Sequence, residues 1–171
     1  AETGARHDPE RESPLRVTLV QAISSSDKMD LTIQKAVELG VAAIQPVFSA
    51  RSLVRLSGER EAKKLAHWRR IVISACEQCG RNRLPEVREA MSVEACSRLP
   101  PGEELRLLLS PEGAAALKDI RPKPGQAISL AAGPEAGFSD EEEQALRRAG
   151  YGPLRLGPRI LRTETAALAA L

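Results

Sequence analysis

Two glycine-proline turns, Gly133-Pro134 and Gly157-Pro158, constrain the fold of this chain more than any other feature. The first turn lies between a predicted strand at 127–132 and a predicted helix at 140–149. The second separates a strand at 154–156 from a helix that begins at Glu164. In an α/β protein, strand carboxyl ends and helix N-termini meet at such turns and leave backbone groups unpaired. The sequence therefore predicts a ligand site around the two turns.

The upstream segments alternate strands and helices in the same way. Strands are predicted at 15–23, 41–48 and 105–109, and helices at 28–39 and 59–79. A short helix is predicted at 114–120, Ser139 and Glu142 form a capping box, and Thr163 is the expected N-cap of the last helix. Because strand–helix–strand units join parallel strands, the pattern predicts an α/β fold with a mostly parallel sheet flanked by helices.

A third turn, Ser110-Pro-Glu-Gly113, follows the apolar strand at 105–109. Turns after parallel strands share one sheet edge, so this turn and the two glycine-proline turns are expected to line one pocket. Glycine allows close approach of the backbone to a ligand, and proline stiffens the turn. Composition alone fits equally well a ligand pocket and ordinary α/β turns without a ligand.

Several common site types lack their sequence signatures. The chain has no G-x-x-x-x-G-K-[ST] phosphate loop, and no G-x-G-x-x-G follows the first strand. Neither His7 nor His67 lies in a turn, which disfavours a Ser-His-Asp hydrolase. Cys76 and Cys79 have redox spacing but lie at the end of a predicted helix, where the thiol pKa is not lowered. No metal site is expected, and a nucleotide-binding oxidoreductase is only a weak alternative.

Charge and composition predict one domain, in which any anion site is local. The 171 residues include 25 basic and 23 acidic side chains, giving a net charge of only +2. Positive charge is concentrated near the second turn, because no acidic residue lies between Arg155, Arg159 and Arg162. Aromatic residues are 2% of the chain, too few for the base-stacking platforms of single-strand RNA binders.

The first 14 residues are charged and contain two prolines and a glycine, which is typical of a linker. They include no apolar segment that resembles a secretion signal, and no run in the chain approaches the roughly 18 apolar residues of a membrane span. We therefore expect a linker at 1–14, a single domain at 15–171, and a cytoplasmic location.

Two C-terminal motifs resemble those of a known family. Gly133-Pro-Glu-Ala-Gly-Phe-Ser139 and Leu156-Gly-Pro-Arg-Ile-Leu-Arg-Thr-Glu-Thr-Ala166 are similar to the signature of the bacterial RsmE-type enzymes, 16S ribosomal RNA uridine-N3 methyltransferases of the SPOUT superfamily. Supporting matches are Lys28-Met-Asp30, Gln34-Lys-Ala-Val-Glu-Leu-Gly-Val41, Arg51-Ser52 and Ala75-Cys-Glu-Gln-Cys-Gly-Arg81. The resemblance covers residues 15–171. The chain departs from the pattern at Ala136, where the family usually has glycine, and at Ala132, where it has a bulkier aliphatic residue.

The resemblance implies a fold with a C-terminal trefoil knot that binds S-adenosylmethionine. It also implies a homodimer with the active site at the subunit interface, acting on 16S rRNA in the small ribosomal subunit. Family members carry an N-terminal PUA-like RNA-binding domain, of which residues 1–14 would be the trailing linker or remnant. Knots are nearly absent from other proteins, so the resemblance alone supports this one.

Roles for individual residues follow from the resemblance together with the chemistry of uracil. The N3 proton of uracil is weakly acidic, with a pKa roughly comparable to that of tyrosine, so methylation requires proton removal and stabilisation of charge on the carbonyl oxygens. We expect Arg162 to orient the base or stabilise that charge, and Glu135 or Glu164 to remove the proton. Each glutamate has an equally good structural role, as a turn residue or a helix-dipole partner.

The remaining expectations concern the cofactor and the RNA. The cofactor pocket is expected to be lined by Leu109, Ser110, Gly133, Pro134, Leu156, Gly157, Ile160 and Leu161. Arg51, Arg81 and Arg159 are the expected contacts to RNA phosphates. The alternative function is a non-catalytic RNA-binding or ribosome-assembly module on the same fold.

Overall fold

One parallel sheet runs through the computed structural model, which describes residues 10–52 and 57–171. The strands in this part of the chain are β1 (Arg16–Ala22), β2 (Ala43–Phe48), β3 (Glu86–Val87), β4 (Met91–Ser92), β5 (Leu105–Leu109), β6 (Ala115–Ala116), β7 (Ala127–Ala132) and β8 (Gly152–Arg155). The helices are α1 (Ser26–Glu38), α2 (Glu59–Cys79), α3 (Val93–Ser97), α4 (Asp140–Arg148) and α5 (Thr163–Ala169). The strand order is β3-β2-β1-β7-β5-β8-β6, and β4 also pairs with β2.

Both faces of the sheet are buried, which is why the central strands are apolar at consecutive positions. Leu19 on β1 pairs with Ile44 on β2 and Leu130 on β7, and these three side chains belong to one core cluster. The next residues along two of these strands, Val20 and Ala131, belong to a second cluster on the opposite face. Complete burial of a side chain such as Leu19 or Ile44 contributes about 1.5–3 kcal/mol. The predicted α/β class, with a parallel sheet flanked by helices, is confirmed.

The helices divide between the two faces. The first cluster contains residues of α1, α2 and α5, and α1 contacts both of the other helices. The second cluster contains residues of α3 and α4, which contact each other. Although α5 follows β8 near one edge of the sheet, it packs against α1 and β7 near the centre. The chain between β8 and α5 therefore passes the carboxyl ends of β5 and β7.

Helix ends were predicted well where a cap or a glycine marks them. The capping box at the start of α4 is present, with the Ser139 side chain accepting from the Glu142 amide and the Glu142 carboxylate accepting from the Ser139 amide. α2 spans the predicted residues, has Trp68 fully buried, and ends at Gly80 in the left-handed conformation. In the described part of the chain, no helix is both long and apolar enough to cross a bilayer.

Two local predictions were wrong. Residues 114–120 form the short strand β6 and one 3₁₀ turn rather than a helix, because this segment pairs with β8. Gly113 permits the pairing, since a Cβ there would lie 2.7 Å from the backbone of Leu154 and Arg155. Thr163 is the first residue of α5, and Arg162 occupies the N-cap position without a side-chain capping bond.

The described residues before β1 contact the domain. The Glu12 carboxylate pairs with the guanidinium of Arg81, and Glu10 Oε2 lies 2.7 Å from Arg83 Nη2. The predicted linker at 1–14 falls partly outside the described residues, so its boundary stays a prediction.

Candidate functional site

A cavity of about 650 Å³ lies at the carboxyl ends of β5, β7 and β8. These strands are neighbours in the sheet and run parallel, so the segments that follow them meet at one edge. The volume falls in the range of about 300–1,000 Å³ that is usual for small-molecule sites. The cavity is therefore large enough for a nucleoside-sized ligand.

Most of the residues predicted from the sequence line this cavity. They are Arg51, Leu109, Ser110, Gly133, Pro134, Glu135, Leu156, Arg159, Ile160, Leu161 and Arg162. Ile160 is 84% exposed at the rim, where a bound ligand can cover it. The structure thus brings the three predicted turn regions together.

Three predicted residues do not line the cavity. Gly157 is exposed in the turn after β8, with φ of +83°, so it shapes the turn without forming a wall. Glu164 lies in the first turn of α5, and its Oε2 atom is buried without a hydrogen-bond partner in the described residues. The side chain of Arg81 is 4% exposed, and its donors reach the carbonyl oxygens of Val37 and Val41 and the carboxylate of Glu12. This position argues against the predicted phosphate contact of Arg81.

The loop after β7, residues 133–138, folds tightly back on itself. A Cβ on Gly133 would lie 3.0 Å from the Phe138 amide nitrogen and 3.2 Å from the Gly137 carbonyl carbon. The Gly137 amide donates to the Pro134 carbonyl oxygen at 2.9 Å, and Gly137 has φ of +71°. The left-handed residue is thus Gly137 and not Ala136, so the alanine that departs from the family pattern fits without backbone strain.

Two side chains fasten this loop to the segment after β2. Arg51 Nη1 donates to the carbonyl oxygens of Phe138 at 2.9 Å and Ala136 at 3.4 Å. The Glu142 carboxylate accepts from Ser49 Oγ at 2.8 Å and from the Ala50 amide at 2.7 Å, in addition to closing the capping box. Arg51 therefore holds the loop after β7 at the cavity wall.

Lys28 is a cavity residue that the site prediction missed. Its Nζ lies 3.1 Å from Glu135 Oε1, and the Ser25 amide donates to the same oxygen at 3.5 Å. Burial raises the pKa of Glu135, but hydrogen bonds from its own amide, from Lys28 and from Ser25 outweigh burial and lower that pKa below its usual value. Two signals in the sequence pointed to Lys28: its position at the start of α1, after the carboxyl end of β1, and its place in the Lys28-Met-Asp30 match to the family.

The rim of the cavity carries unpaired positive charge. Within the described residues, no hydrogen bond or ion pair engages the guanidinium group of Arg159 or Arg162, and both residues are exposed. The positive charge of Arg51 is partly compensated, since its Nη2 lies 3.6 Å from Asp140 Oδ1. The rim therefore offers guanidinium donors to an anionic or carbonyl-bearing ligand.

The other polar groups considered in the sequence lie elsewhere. His67 Nε2 lies 2.7 Å from Asp30 Oδ2 between α1 and α2, and His7 falls outside the described residues. Cys76 is a buried free thiol whose pKa is raised by burial. Among the residues that the structure describes, no group of three His, Cys, Asp or Glu side chains is placed to hold a metal ion.

Comparison with known proteins gives consistent matches over nearly the whole chain. Residues 11–171 match the RNA methyltransferase domain family. The crystal structure of a ribosomal RNA small subunit methyltransferase E from Neisseria gonorrhoeae bound to S-adenosyl methionine is 51% identical, with a TM-score of 0.86 over 94% of this chain and 65% of that one. A putative methyltransferase from Legionella pneumophila, also in complex with this cofactor, is 45% identical, with a TM-score of 0.88 over 94% of this chain and 65% of that one.

A curated relative from Buchnera aphidicola, ribosomal RNA small subunit methyltransferase E, is 38% identical over 160 residues. The match covers 94% of this chain and 63% of the relative. The resemblance to RsmE-type proteins that the two C-terminal motifs indicated is confirmed. The chain spans less than two thirds of the length of such relatives.

Proposed function

The chain belongs to the RNA methyltransferase domain family, and we propose on this basis that it binds S-adenosylmethionine and methylates N3 of a uridine in 16S rRNA of the small ribosomal subunit. One observation carries the proposal: the two motif turns and the turn after β5 form a single cavity with unpaired arginine at its rim. The alternative, a non-catalytic RNA-binding or assembly module, is not favoured, because the relatives are named methyltransferases.

The cavity has the features that the cofactor requires. One wall is the backbone of the loop after β7, which folds so tightly at Gly133 that a side chain there would displace the loop. Leu109, Leu156 and Leu161 supply apolar cover, and Ile160 is available at the rim. When bound there, S-adenosylmethionine would supply the methyl group that the deprotonated N3 takes as the carbon–sulfur bond breaks. We expect a trefoil knot around this site, formed by the segment between β8 and α5.

Arg162 is the residue proposed to stabilise the negative charge that develops on uracil. Loss of the N3 proton places negative charge on the flanking carbonyl oxygens of uracil, and a guanidinium donor stabilises that charge most in the transition state. Arg162 lines the cavity, and its donors are not used by the described part of the protein. Arg162 is the N-cap residue of α5, so the positive end of the helix dipole lies at the same side of the cavity.

The identity of the base stays open between Glu135 and Glu164. Glu135 lines the cavity, but its lowered pKa makes it a weaker base and its carboxylate is held by Lys28. Glu164 does not line the cavity, although one of its carboxylate oxygens is buried and unpartnered in the described residues. We propose that Glu135 chiefly fixes Lys28, which adds a second positive charge beside the target base.

The rRNA contacts are proposed for Arg159 and, in part, for Arg51. Arg159 is exposed at the rim and has no described partner, so a phosphate can reach it. Arg51 is about half exposed but already donates to the loop after β7. Arg81 is left out of the proposal because its donors are used inside the domain. A small-subunit rRNA substrate implies a cytoplasmic location, and the family resemblance implies a homodimer.

Calorimetric titration of the chain with S-adenosylmethionine tests the cofactor assignment. We expect the unsubstituted chain to bind and Gly133→Ala to bind about tenfold more weakly, because the new methyl group forces the loop to shift. Gly152→Ala is the matched control, since its Cβ would make an ordinary 3.8 Å contact away from the cavity. A folded chain that does not bind the cofactor would exclude the assignment.

A second experiment tests the substrate. The gene that encodes this chain would be expressed in a bacterium lacking its own small-subunit methyltransferase E, and the 16S RNA analysed by mass spectrometry. We expect N3-methyluridine to appear with the natural gene and to be strongly reduced with its Arg162→Ala form. Restored ribosome assembly without new methyluridine would support the non-catalytic alternative instead.

A further inference from the structure

A buried glutamine connects three segments that surround the cavity. Gln21 is the penultimate residue of β1 and is 1% exposed. Its Nε2 donates to the Ala22 carbonyl oxygen at 3.0 Å and to Thr163 Oγ1 at 3.3 Å. The Thr163 hydroxyl in turn donates to the Gly133 carbonyl oxygen. This chain of hydrogen bonds joins β1, the start of α5 and the loop after β7.

The direction of these hydrogen bonds follows from the groups themselves. The carbonyl oxygens of Ala22 and Gly133 can only accept, so the Thr163 hydroxyl must donate to Gly133. Its oxygen then accepts from Gln21, and the amide nitrogen of Gln21 must be the atom that faces both Thr163 and Ala22. The amide cannot be flipped, because its oxygen would then face two groups that have no proton to donate to it.

The Gln21 amide uses its donors but not its acceptor. Its Oε1 atom is buried and has no partner in the described residues. Burial of an unpaired polar atom is unfavourable, and an apolar residue would fill this strand position without that cost. The polar side chain is thus explained by what its amide group holds in place.

We propose that Gln21 is a positioning residue for methyl transfer. Gly133 and Thr163 line the cavity and Arg162 directly precedes Thr163, whereas Gln21 does not line the cavity itself. Through Thr163, Gln21 fixes the loop after β7, which forms one wall of the cavity. It also fixes the backbone that carries Arg162. The inference rests on the proposed function, because it assigns a role in the same reaction.

The neighbouring strand provides a matched control. Gln45 on β2 is 2% exposed, and its Nε2 donates to the Pro46 carbonyl oxygen at 3.0 Å and to the Glu89 carbonyl oxygen at 2.8 Å. Both glutamines therefore bond the next carbonyl of their own strand and one distant acceptor. The distant acceptor of Gln45, the Glu89 carbonyl oxygen, lies just before β4, and neither Gln45 nor Glu89 lines the cavity. Gln45→Met removes an equivalent buried amide with no connection to Arg162.

The experiment compares Gln21→Met, Gln45→Met, Thr163→Val and Thr163→Ser. Cofactor affinity is measured by calorimetry with S-adenosylmethionine, stability by urea unfolding, and methyl transfer from radiolabelled cofactor to small-subunit rRNA at saturating cofactor. We expect Gln21→Met and Thr163→Val each to lower the rate about tenfold, as loss of one positioning hydrogen bond in a buried network predicts. Thr163→Ser keeps the hydroxyl and should retain a rate close to that of the unsubstituted protein.

The control separates positioning from general stability. Gln45→Met should lower stability at least as much as Gln21→Met, since only Gln21 also loses an unpaired buried oxygen, and should leave the rate per folded molecule unchanged. Equal rates for Gln21→Met and Gln45→Met, or for Thr163→Val and Thr163→Ser, would overturn the inference while the proposed function stands. An unsubstituted protein that neither binds the cofactor nor transfers methyl groups would overturn the proposed function, and the inference with it. If Gln21→Met does not fold, the threonine pair alone decides.

Discussion

Arg81 and Arg162 occupy two regions of the molecule that use the same functional group in opposite ways. Arg81, just beyond the end of α2, is almost fully buried, and each of its nitrogen atoms meets a carbonyl oxygen or a carboxylate. Arg162, at the start of α5, is exposed at the cavity, and no described residue accepts its donors. The first guanidinium ties α1 and the N-terminal segment to the domain, and the second is free to meet a ligand.

The difference shows that the charge of a residue says little about its role until its donors are counted. A guanidinium has five N–H donors and no acceptor, so donors that end on protein oxygens are unavailable to RNA. Arginines with unused donors at a concave site are the ones that can bind phosphate or stabilise developing charge. Three arginine substitutions, each with a control variant, test this distinction in order of decreasing expected effect, and a carboxylate substitution at the cavity follows as the smallest.

The largest effect is expected from Arg81→Ala. The substitution leaves the carbonyl oxygens of Val37 and Val41 and the Glu12 carboxylate without their partner, all in a largely buried setting. Loss of one member of such a pair costs about 3–5 kcal/mol, which urea unfolding would measure. Cofactor affinity per folded molecule should not change.

Arg83→Ala is the control for Arg81, because Arg83 pairs with Glu10 in an exposed ion pair. Its effect on the free energy of unfolding should be below about 1 kcal/mol. If Arg81→Ala were as stable as Arg83→Ala but bound RNA more weakly, Arg81 would belong with the ligand-binding arginines after all.

Arg162→Ala should behave in the opposite way. Removal of one donor to developing negative charge typically lowers kcat by about 10²–10³, while an exposed substitution changes stability by no more than about 0.5 kcal/mol. Single-turnover methylation of small-subunit rRNA measures the first quantity and urea unfolding the second. Arg148→Ala, at an exposed arginine of α4 away from the cavity, should change neither.

Arg51 lies between the two extremes, since it lines the cavity and also donates to the loop after β7. Arg51→Ala should cost about 1 kcal/mol of stability, as for one or two partly exposed hydrogen bonds, and weaken cofactor binding a few-fold by loosening that loop. Asp140→Asn removes only the exposed ion pair and should have little effect. Weaker RNA binding with unchanged cofactor affinity would show that Arg51 acts on RNA alone.

The parts of the fold that the sequence predicted are those with strong periodicity or a distinctive cap. β1, α2, β5, β7 and the capping box of α4 all have such signals. The segment 114–120 has weak helix signals, and pairing with β8 decided its structure. Turns after parallel strands must meet at one sheet edge, and most of the site residues that this rule and the family resemblance predicted do line the cavity.

The residues that the sequence could not predict are those whose role depends on what they face. Arg81 follows a glycine cap and is as compatible with solvent as with buried carbonyls until α1 is packed beside it. Lys28 belongs to a family match, but its contact with Glu135 spans 107 positions of sequence and could not be read from that match. Gln21 is one polar residue in an apolar strand, and its partner Thr163 comes 142 positions later.

The smallest predicted effect concerns Lys28 and Glu135, a pair in which the cation is held at the cavity by a carboxylate. The pKa of Glu135 lies below its usual value of 4.5, so the ionised form is favoured more in the folded than in the unfolded state. Its contribution to stability is therefore fully present above pH 4.5 and is lost as the pH falls through the lowered folded pKa. Because both side chains are partly exposed, the contribution is at most about 1 kcal/mol.

Unfolding free energies of the unsubstituted chain and Glu135→Gln should thus differ slightly at neutral pH and converge in acid. Lys28→Met provides the matched background, because without the ammonium group the glutamine substitution should have a smaller effect. If Glu135→Gln also shifted the pH dependence of methyl transfer at neutral pH, Glu135 would titrate as the base in the RNA complex. A lower rate that Lys28→Met reproduces, with no further loss when Glu135→Gln is added to Lys28→Met, would instead assign Glu135 to holding Lys28, because the carboxylate would then influence the reaction only through the cation that it positions.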